Sequence, residues 1–222
     1  MRLLLIRHAH HDYIGKAIVG WLPGVSLSEF GRTQAAALPQ RLARSGISAI
    51  YSSPLERSQE TAAPLAAALG MEVEIRDGLR EMNFGEFTGQ TMAELDIDPR
   101  WHSFNLSRSN TRAPGGELML ETQARMVAEL ERIRYENPDG VVAVFSHGEA
   151  IRAAVMHYAG IALDLYQRIE IHPASVSTID LFAHGPRIIG LNGCELAVPG
   201  RPLGCSTTRR VPCPDRPDRS AS

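Results

Sequence analysis

The chain alternates short apolar runs with longer segments whose apolar residues recur every three to four positions, the pattern of strands covered by amphipathic helices. The first run, Leu3 to Ile6, is continuously apolar and ends at Arg7-His8. A loop with turn signals at Gly15, Gly20 and Pro23-Gly24 comes next. Ser28 caps a helix expected over roughly Glu29 to Arg44, with Gly46 as its stop and Pro39 expected to kink or divide it. Ile47 to Tyr51 reads as a second strand. Ser52-Ser53-Pro54 then opens a helix to about Leu69, with the cap and the proline in its first turn and a second internal break at Pro64. Met71 to Ile75 is a weaker strand.

Between Asp77 and Gly116 the periodicity fades. Met92 to Leu95 reads as a short helical piece, and Trp101, Phe104 and Leu106 as scattered anchors of an excursion outside the sheet, the kind of segment that walls a site. From Glu117 to Tyr135 the helical period returns, with Leu120, Met126, Val127, Leu130 and Ile133 on one stripe. Val141 to Phe145 is apolar throughout, as a strand buried on both faces requires. It breaks at Ser146-His147-Gly148 before a helix from Glu149 to Tyr158. Ser175 to Phe182 and Arg187 to Leu191 predict a strand pair turning at His184-Gly185-Pro186. Together these elements predict an α/β fold, a three-layer α/β/α sandwich around a mostly parallel central sheet.

Composition sharpens the boundaries more than the function. The 222 residues suit one domain over 1–193. From 194 to 222 the chain turns Pro- and Arg-rich: Pro199 to Ser222 holds five prolines and five arginines, with Val211 the only β-branched aliphatic. Such a tail is expected to be disordered, because it has too little apolar surface to bury. A net charge of −2 gives no reason to expect nucleic acid or an anionic membrane as partner. No apolar run approaches the roughly 18 residues of a membrane span, and Leu3 to Ile6 is too short for a signal-peptide core; a cytoplasmic protein is expected. Cys194, Cys205 and Cys213 have neither a CxxC pair nor metal-ligand spacing, and a Cys205–Cys213 disulfide would be unusual in that compartment.

The chemistry gathers at strand ends. Arg7-His8 ends the first strand, Arg57 lies in the first turn of the helix after the second, and His147-Gly148 joins the strand Val141–Phe145 to its helix. Parallel strands bring such ends together, and helix N-termini there favour anions. Two chemistries compete: a phosphate clamp with His8 as nucleophile, or a metal site of His8, His10 and Asp12.

The set Leu5-Ile6-Arg7-His8, Leu27-Ser28-x-x-Gly31-x-x-Gln34-Ala35, Ser52-Ser53-Pro54-x-x-Arg57-x-x-Glu60-Thr61-Ala62, Leu79-x-Glu81-x-x-Phe84-Gly85 and Ser146-His147-Gly148 resembles the histidine phosphatase superfamily. That superfamily holds the cofactor-dependent phosphoglycerate mutases and their phosphatase relatives. The resemblance spans about Met1 to Leu191 and implies a phosphoglycerate mutase-like fold. It implies a hydrolase of small-metabolite phosphomonoesters, working through a phosphohistidine on His8 with no metal and no cofactor. Arg7, Arg57, His8 and His147 would hold the phosphoryl group, with Glu81 as proton donor. The partner would be a small phosphorylated molecule, and a homodimer is compatible with this.

Three alternatives stand beside that reading. A mutase would carry a longer, more basic segment than the short interval from Gly85 to Gly116. A metallo-hydrolase would use His8, His10 and Asp12, but such sites add a histidine where Tyr13 stands. A non-catalytic phospho-ligand binder is the third. The chain also departs from the family's Arg-His-Gly-Glu/Gln, reading Arg7-His8-Ala9-His10. Ala9 for glycine predicts a negative φ or a mildly strained one. Ile14 stands where relatives carry a phosphate-binding asparagine. His10 and His11 are expected as exposed loop residues, and Arg100, Arg108 and Arg112 as solvated surface.

Overall fold

The computed structural model describes residues 1–193; the expectations for the Pro/Arg-rich tail and for Cys194, Cys205 and Cys213 lie outside the described residues. In chain order the first elements are β1 (Arg2–Arg7), α1 (Glu29–Leu42), β2 (Ile47–Ser52), α2 (Glu56–Leu69), β3 (Val73–Ile75), α3 (Met92–Leu95) and α4 (Pro99–Leu106). After them come α5 (Met119–Glu136), β4 (Val141–Ser146), α6 (Gly148–Ala159), β5 (Val176–Phe182) and β6 (Gly185–Gly193).

Side chains alternate between the two faces of a strand, and in β1 both faces are apolar. Leu3 and Leu5 enter one core, Leu4 and Ile6 the other. β4 repeats this, with Val142 and Val144 in the first core and Ala143 and Phe145 in the second. Strands of this kind need helices on both sides. α1 and α2 cover one face through Leu38, Leu42 and Leu65, and α5 and α6 cover the other through Met126, Leu130, Ile133 and Ile151.

The sheet order is β3-β2-β4-β1-β5-β6. The β3–β2, β2–β4 and β4–β1 pairs are parallel, whereas β5 runs antiparallel to β1 and to β6. Arg7 is in register with Ser146, and Ser52 with Phe145. The carboxyl ends of β1, β4 and β2 therefore lie side by side, and the residues just beyond these three ends meet at one edge.

Several local expectations are corrected. Neither proline divides its helix: α1 runs through Pro39 and α2 through Pro64. The packing of Leu38, Leu42 and Leu65 on the sheet outweighs the one helical hydrogen bond that each ring removes. Ser52-Ser53-Pro54 does not lie in the first turn of α2. That helix starts at Glu56, and its N-cap position is Leu55, with no side-chain cap. The stripe of α5 is Met119, Thr122, Met126, Leu130 and Ile133, leaving Leu120 exposed. Of the three scattered anchors, Trp101 and Phe104 are buried on α4, which the faded periodicity concealed, while Leu106 is exposed.

Ser28 does cap α1, its Oγ accepting from the Gly31 N–H at 3.0 Å. Gly31 has a second role. A Cβ built there would sit 1.9 Å from the His10 carbonyl oxygen, so only glycine lets α1 start against the loop beyond His8. Gly31→Ala is expected to destabilise the fold by at least about 2 kcal/mol, since backbone must move on both sides of the clash. Chemical denaturation measures this; a loss below about 0.5 kcal/mol would mean that the loop yields freely.

Candidate active site

Arg7-His8, Arg57, Glu81 and His147, from four stretches far apart in sequence, meet at the edge formed by the ends of β1, β4 and β2. The His8 N–H donates to the Ser146 carbonyl at 2.9 Å and the Ser53 N–H to that of Phe145 at 3.0 Å, so hydrogen bonds of the sheet type continue past the strands and fix the backbone around the site. Arg7, His8, Arg57 and Glu81 line a cavity of about 180 Å³, with Gly20, Gly148 and Arg152 among its other walls. The His147 ring packs at 5.2 Å from that of His8, fully buried.

His8 Nδ1 lies 2.9 Å from the Ala9 carbonyl oxygen. A carbonyl only accepts, so the neutral ring carries its hydrogen on Nδ1 and its lone pair on Nε2. Burial first, then the charges of Arg7 and Arg57, hold the His8 pKa well below the ordinary histidine value. The ring is neutral near pH 7 and its Nε2 lone pair is free.

The cations around it are held by single bonds and otherwise unpaired. Arg57 NH2 donates to the Gly20 carbonyl at 2.8 Å, and its Nε and NH1 have no hydrogen-bond partner among the described residues although the side chain is fully buried. Arg7 NH1 donates to the Ile171 carbonyl, and its Nε is likewise without a partner there. Desolvation lowers the Arg57 pKa to about 10, which leaves it charged at neutral pH. A buried guanidinium without an ion-pair partner is costly, and Arg57 with the partly buried Arg7 beside it gives this small cavity a charge that suits an anion. Gly148 is part of this arrangement, since a Cβ there would lie 3.3 Å from the Arg7 guanidinium carbon.

Glu81 faces the same cavity from the segment after β3. Its carboxylate accepts from the N–H groups of Met82 at 2.9 Å and Ala150 at 3.2 Å, the latter at the N-terminus of α6. Burial, then the Glu149 carboxylate, raise its pKa; the Met82 hydrogen bond and the charges of Arg57 and Arg7 oppose them. Arg125 of α5 fixes this segment by donating to the carbonyls of Gly78, Arg80 and Glu81 and pairing with Glu117 at 3.0 Å.

The metal triad of His8, His10 and Asp12 does not form: His10 bonds Ser28 Oγ through Nδ1 at 2.8 Å and Asp12 is exposed, neither lining the cavity.

The histidine phosphatase superfamily (branch 1) model matches residues 3–193. The chain belongs to that superfamily. It is 36% identical over 162 residues to the glucosyl-3-phosphoglycerate phosphatase of Mycobacterium tuberculosis, covering 68% of this chain and 72% of that protein. It is 29% identical over 196 residues to the putative phosphoserine phosphatase 2 of Hydrogenobacter thermophilus, covering 86% and 95%. A bifunctional protein of M. tuberculosis is 31% identical over 192 residues, of which this chain spans about half, 53%. The solved structure of the mycobacterial glucosyl-3-phosphoglycerate phosphatase superposes with a TM-score of 0.78 at 27% identity, covering 86% of this chain and 98% of that one.

Against the superfamily's pattern, Ala9 has no positive φ, and its buried methyl packs with Leu27, Ala35 and Ala174. Two expectations about charge and exposure are overturned. His11 is buried, lines the cavity and stacks on His8 at 5.1 Å. Arg108 is buried too, sandwiched between the rings of Phe104 and Tyr166 at 4.0 and 4.1 Å; Arg100 and Arg112 are half-exposed at the surface. Arg152 was missed, although it stands four residues after Gly148 and so on the same helical face. It and Arg108 both pair with Glu149. Ala174 was also missed: its φ of +55° is rare outside glycine, and its N–H reaches the carbonyls of Arg7 at 3.1 Å and His8 at 3.3 Å.

Three buried neutral histidines set a pH dependence of stability. His8, His11 and His147 all have lowered pKa values, in each case chiefly through burial, and His11 falls to about 3. In the unfolded chain each titrates near about 6.5, so below that pH the unfolded state binds more protons. The stability present above that pH is then lost as the pH falls toward the folded-state values. The Tm is expected to drop steadily between about pH 7 and 4. A Tm unchanged down to about pH 5 would show that the rings are not held neutral.

Proposed function

We propose that the chain is a phosphomonoesterase for small phosphorylated metabolites, acting through a phosphohistidine on His8. The observation that carries this reading is the Nε2 lone pair of His8 in a small cavity where buried Arg57 and partly buried Arg7 have N–H groups without a partner among the described residues. Arg7 and Arg57 hold the phosphoryl oxygens and draw charge from them as it builds up. Arginine suits this because its planar donors remain charged. His147, expected among these ligands, does not line the cavity and packs against the His8 ring with its Nε2 bonded to Ser53 Oγ. Nε2 attacks phosphorus, the P–O ester bond breaks, and protonated Glu81 gives its proton to the leaving alkoxide. Water then attacks the phosphohistidine and Glu81 carboxylate takes its proton. The P–N bond breaks, and inorganic phosphate leaves with His8 and Glu81 restored.

The alcohol part has space beside the phosphate. A second cavity of about 350 Å³ adjoins the first, sharing Ile18, Phe84, Glu149 and Arg152, and includes Arg108 and Tyr166. It suits a polar leaving group about the size of a sugar or amino acid. The working compartment in this reading is the cytosol; among the described residues no helix is long and apolar enough to cross a membrane. A phosphate-release screen over sugar phosphates, phosphoamino acids, nucleotides and phosphoglycerates tests the proposal. Release of phosphate from some of them, with no isomerisation of 3-phosphoglycerate after 2,3-bisphosphoglycerate priming, is expected. Isomerisation faster than release would make the chain a mutase.

A further inference from the structure

His11 belongs neither to the motifs nor to the chemistry above, yet it is 3% exposed and lines the phosphate cavity. The ring is held from two sides. It stacks on His8 with an interplanar angle of 28°, and its Nδ1 accepts the Tyr13 N–H at 3.3 Å within the turn that Ile14 N–H closes on the His11 carbonyl. A ring nitrogen that accepts from a backbone N–H carries no hydrogen, so the neutral imidazole has its hydrogen on Nε2. Among the described residues no group accepts from that N–H.

Ile14 also lines the cavity and has no donor in its side chain. That wall is therefore apolar, three residues from a histidine with a free N–H in the same pocket.

We propose that His11 Nε2–H is a phosphate-binding donor, adding one hydrogen bond to those that Arg7 and Arg57 offer. This rests on the phosphomonoesterase reading and adds a ligand to it. The ring is suited to the task. Burial, with the charges of Arg57 and Arg7 next in weight, keeps it neutral, so it donates one directed hydrogen bond without adding a further full cation to a cavity already lined by Arg7, Arg57 and Arg152. Tyr13 and His8 fix its orientation before substrate arrives, which lowers the cost of ordering on binding.

Orthovanadate, a phosphate mimic, is the probe, with phosphate release measured in parallel. His11→Phe keeps the stack on His8 and removes the donor; His11→Asn and His11→Gln restore an amide N–H in a smaller or more flexible frame. A hydrogen bond to a charged group corresponds to about 10- to 100-fold in binding. His11→Phe is expected to weaken vanadate inhibition by at least about tenfold and to raise KM more than it lowers kcat, with one of the amide variants recovering most of the loss. His11→Phe with wild-type vanadate affinity overturns the proposal and leaves His11 as packing. So does a loss in His11→Phe that neither amide variant recovers while all three retain the wild-type Tm. If the wild-type protein neither binds vanadate nor releases phosphate from any ester, the phosphomonoesterase reading itself fails, an outcome distinct from either of these.

Discussion

His8→Ala is expected to lower phosphate release by about 10⁵-fold, because it removes the atom that forms the covalent intermediate. Hydrogen bonding to the Ala9 carbonyl leaves Nε2 as the only atom of that ring with a lone pair, and no other described residue presents a neutral imidazole lone pair to the cavity. His11 has its hydrogen on Nε2, and His147 does not line the cavity. Binding should survive the substitution: Arg7 and Arg57 remain, so vanadate affinity is expected to stay within about tenfold of wild type. Rapid quench of the wild-type enzyme with labelled substrate should trap an acid-labile phosphoprotein that the variant does not form. Activity of the variant within about tenfold of wild type would remove His8 from the chemistry.

Glu81→Gln is expected to lower kcat by about 10²- to 10⁴-fold on alkyl phosphates, the usual contribution of a positioned general acid. The defect should shrink to about tenfold or less on p-nitrophenyl phosphate, whose leaving group departs without a proton. The pH dependence has its origin in two opposite shifts. The His8 pKa is lowered, so the nucleophile stays neutral well below the ordinary histidine range, and activity is lost on the acid side only when His8 protonates. The Glu81 pKa is raised by its burial and by Glu149, so its acid form persists to a higher pH than an exposed glutamate would allow. On alkyl esters, activity should therefore fall on the alkaline side as Glu81 ionises, and Glu81→Gln should abolish that limb while leaving the acid limb in place. An alkaline limb unchanged in Glu81→Gln would assign the proton donor elsewhere.

The sequence alone determined much of the frame. A continuously apolar run is informative because it requires cover on both faces, and Leu3–Ile6 and Val141–Phe145 announced the two central strands in that way. Arg7-His8, Arg57, Glu81 and His147 were legible because their neighbours fall into ordered, spaced motifs, and parallel strands bring such ends together. The helix cap at Ser28 was a local signal, obeyed locally. Pro39 and Pro64 were local signals overridden by packing.

Only the tertiary structure decided which polar residues are buried. His11 and Arg108 look in the sequence like loop and surface groups, since burial of a single polar side chain leaves no periodic trace. Arg108 lies between the nearby Phe104 and the remote Tyr166, and Arg125 grips the distant segment that carries Glu81. The excursion from Asp77 to Gly116 was illegible for the same reason. Its buried residues are held by long-range partners rather than by the period of one helix. The hydrogen positions on His8 and His11, which leave a lone pair on one Nε2 and an N–H on the other, depend on single backbone contacts that no spacing encodes.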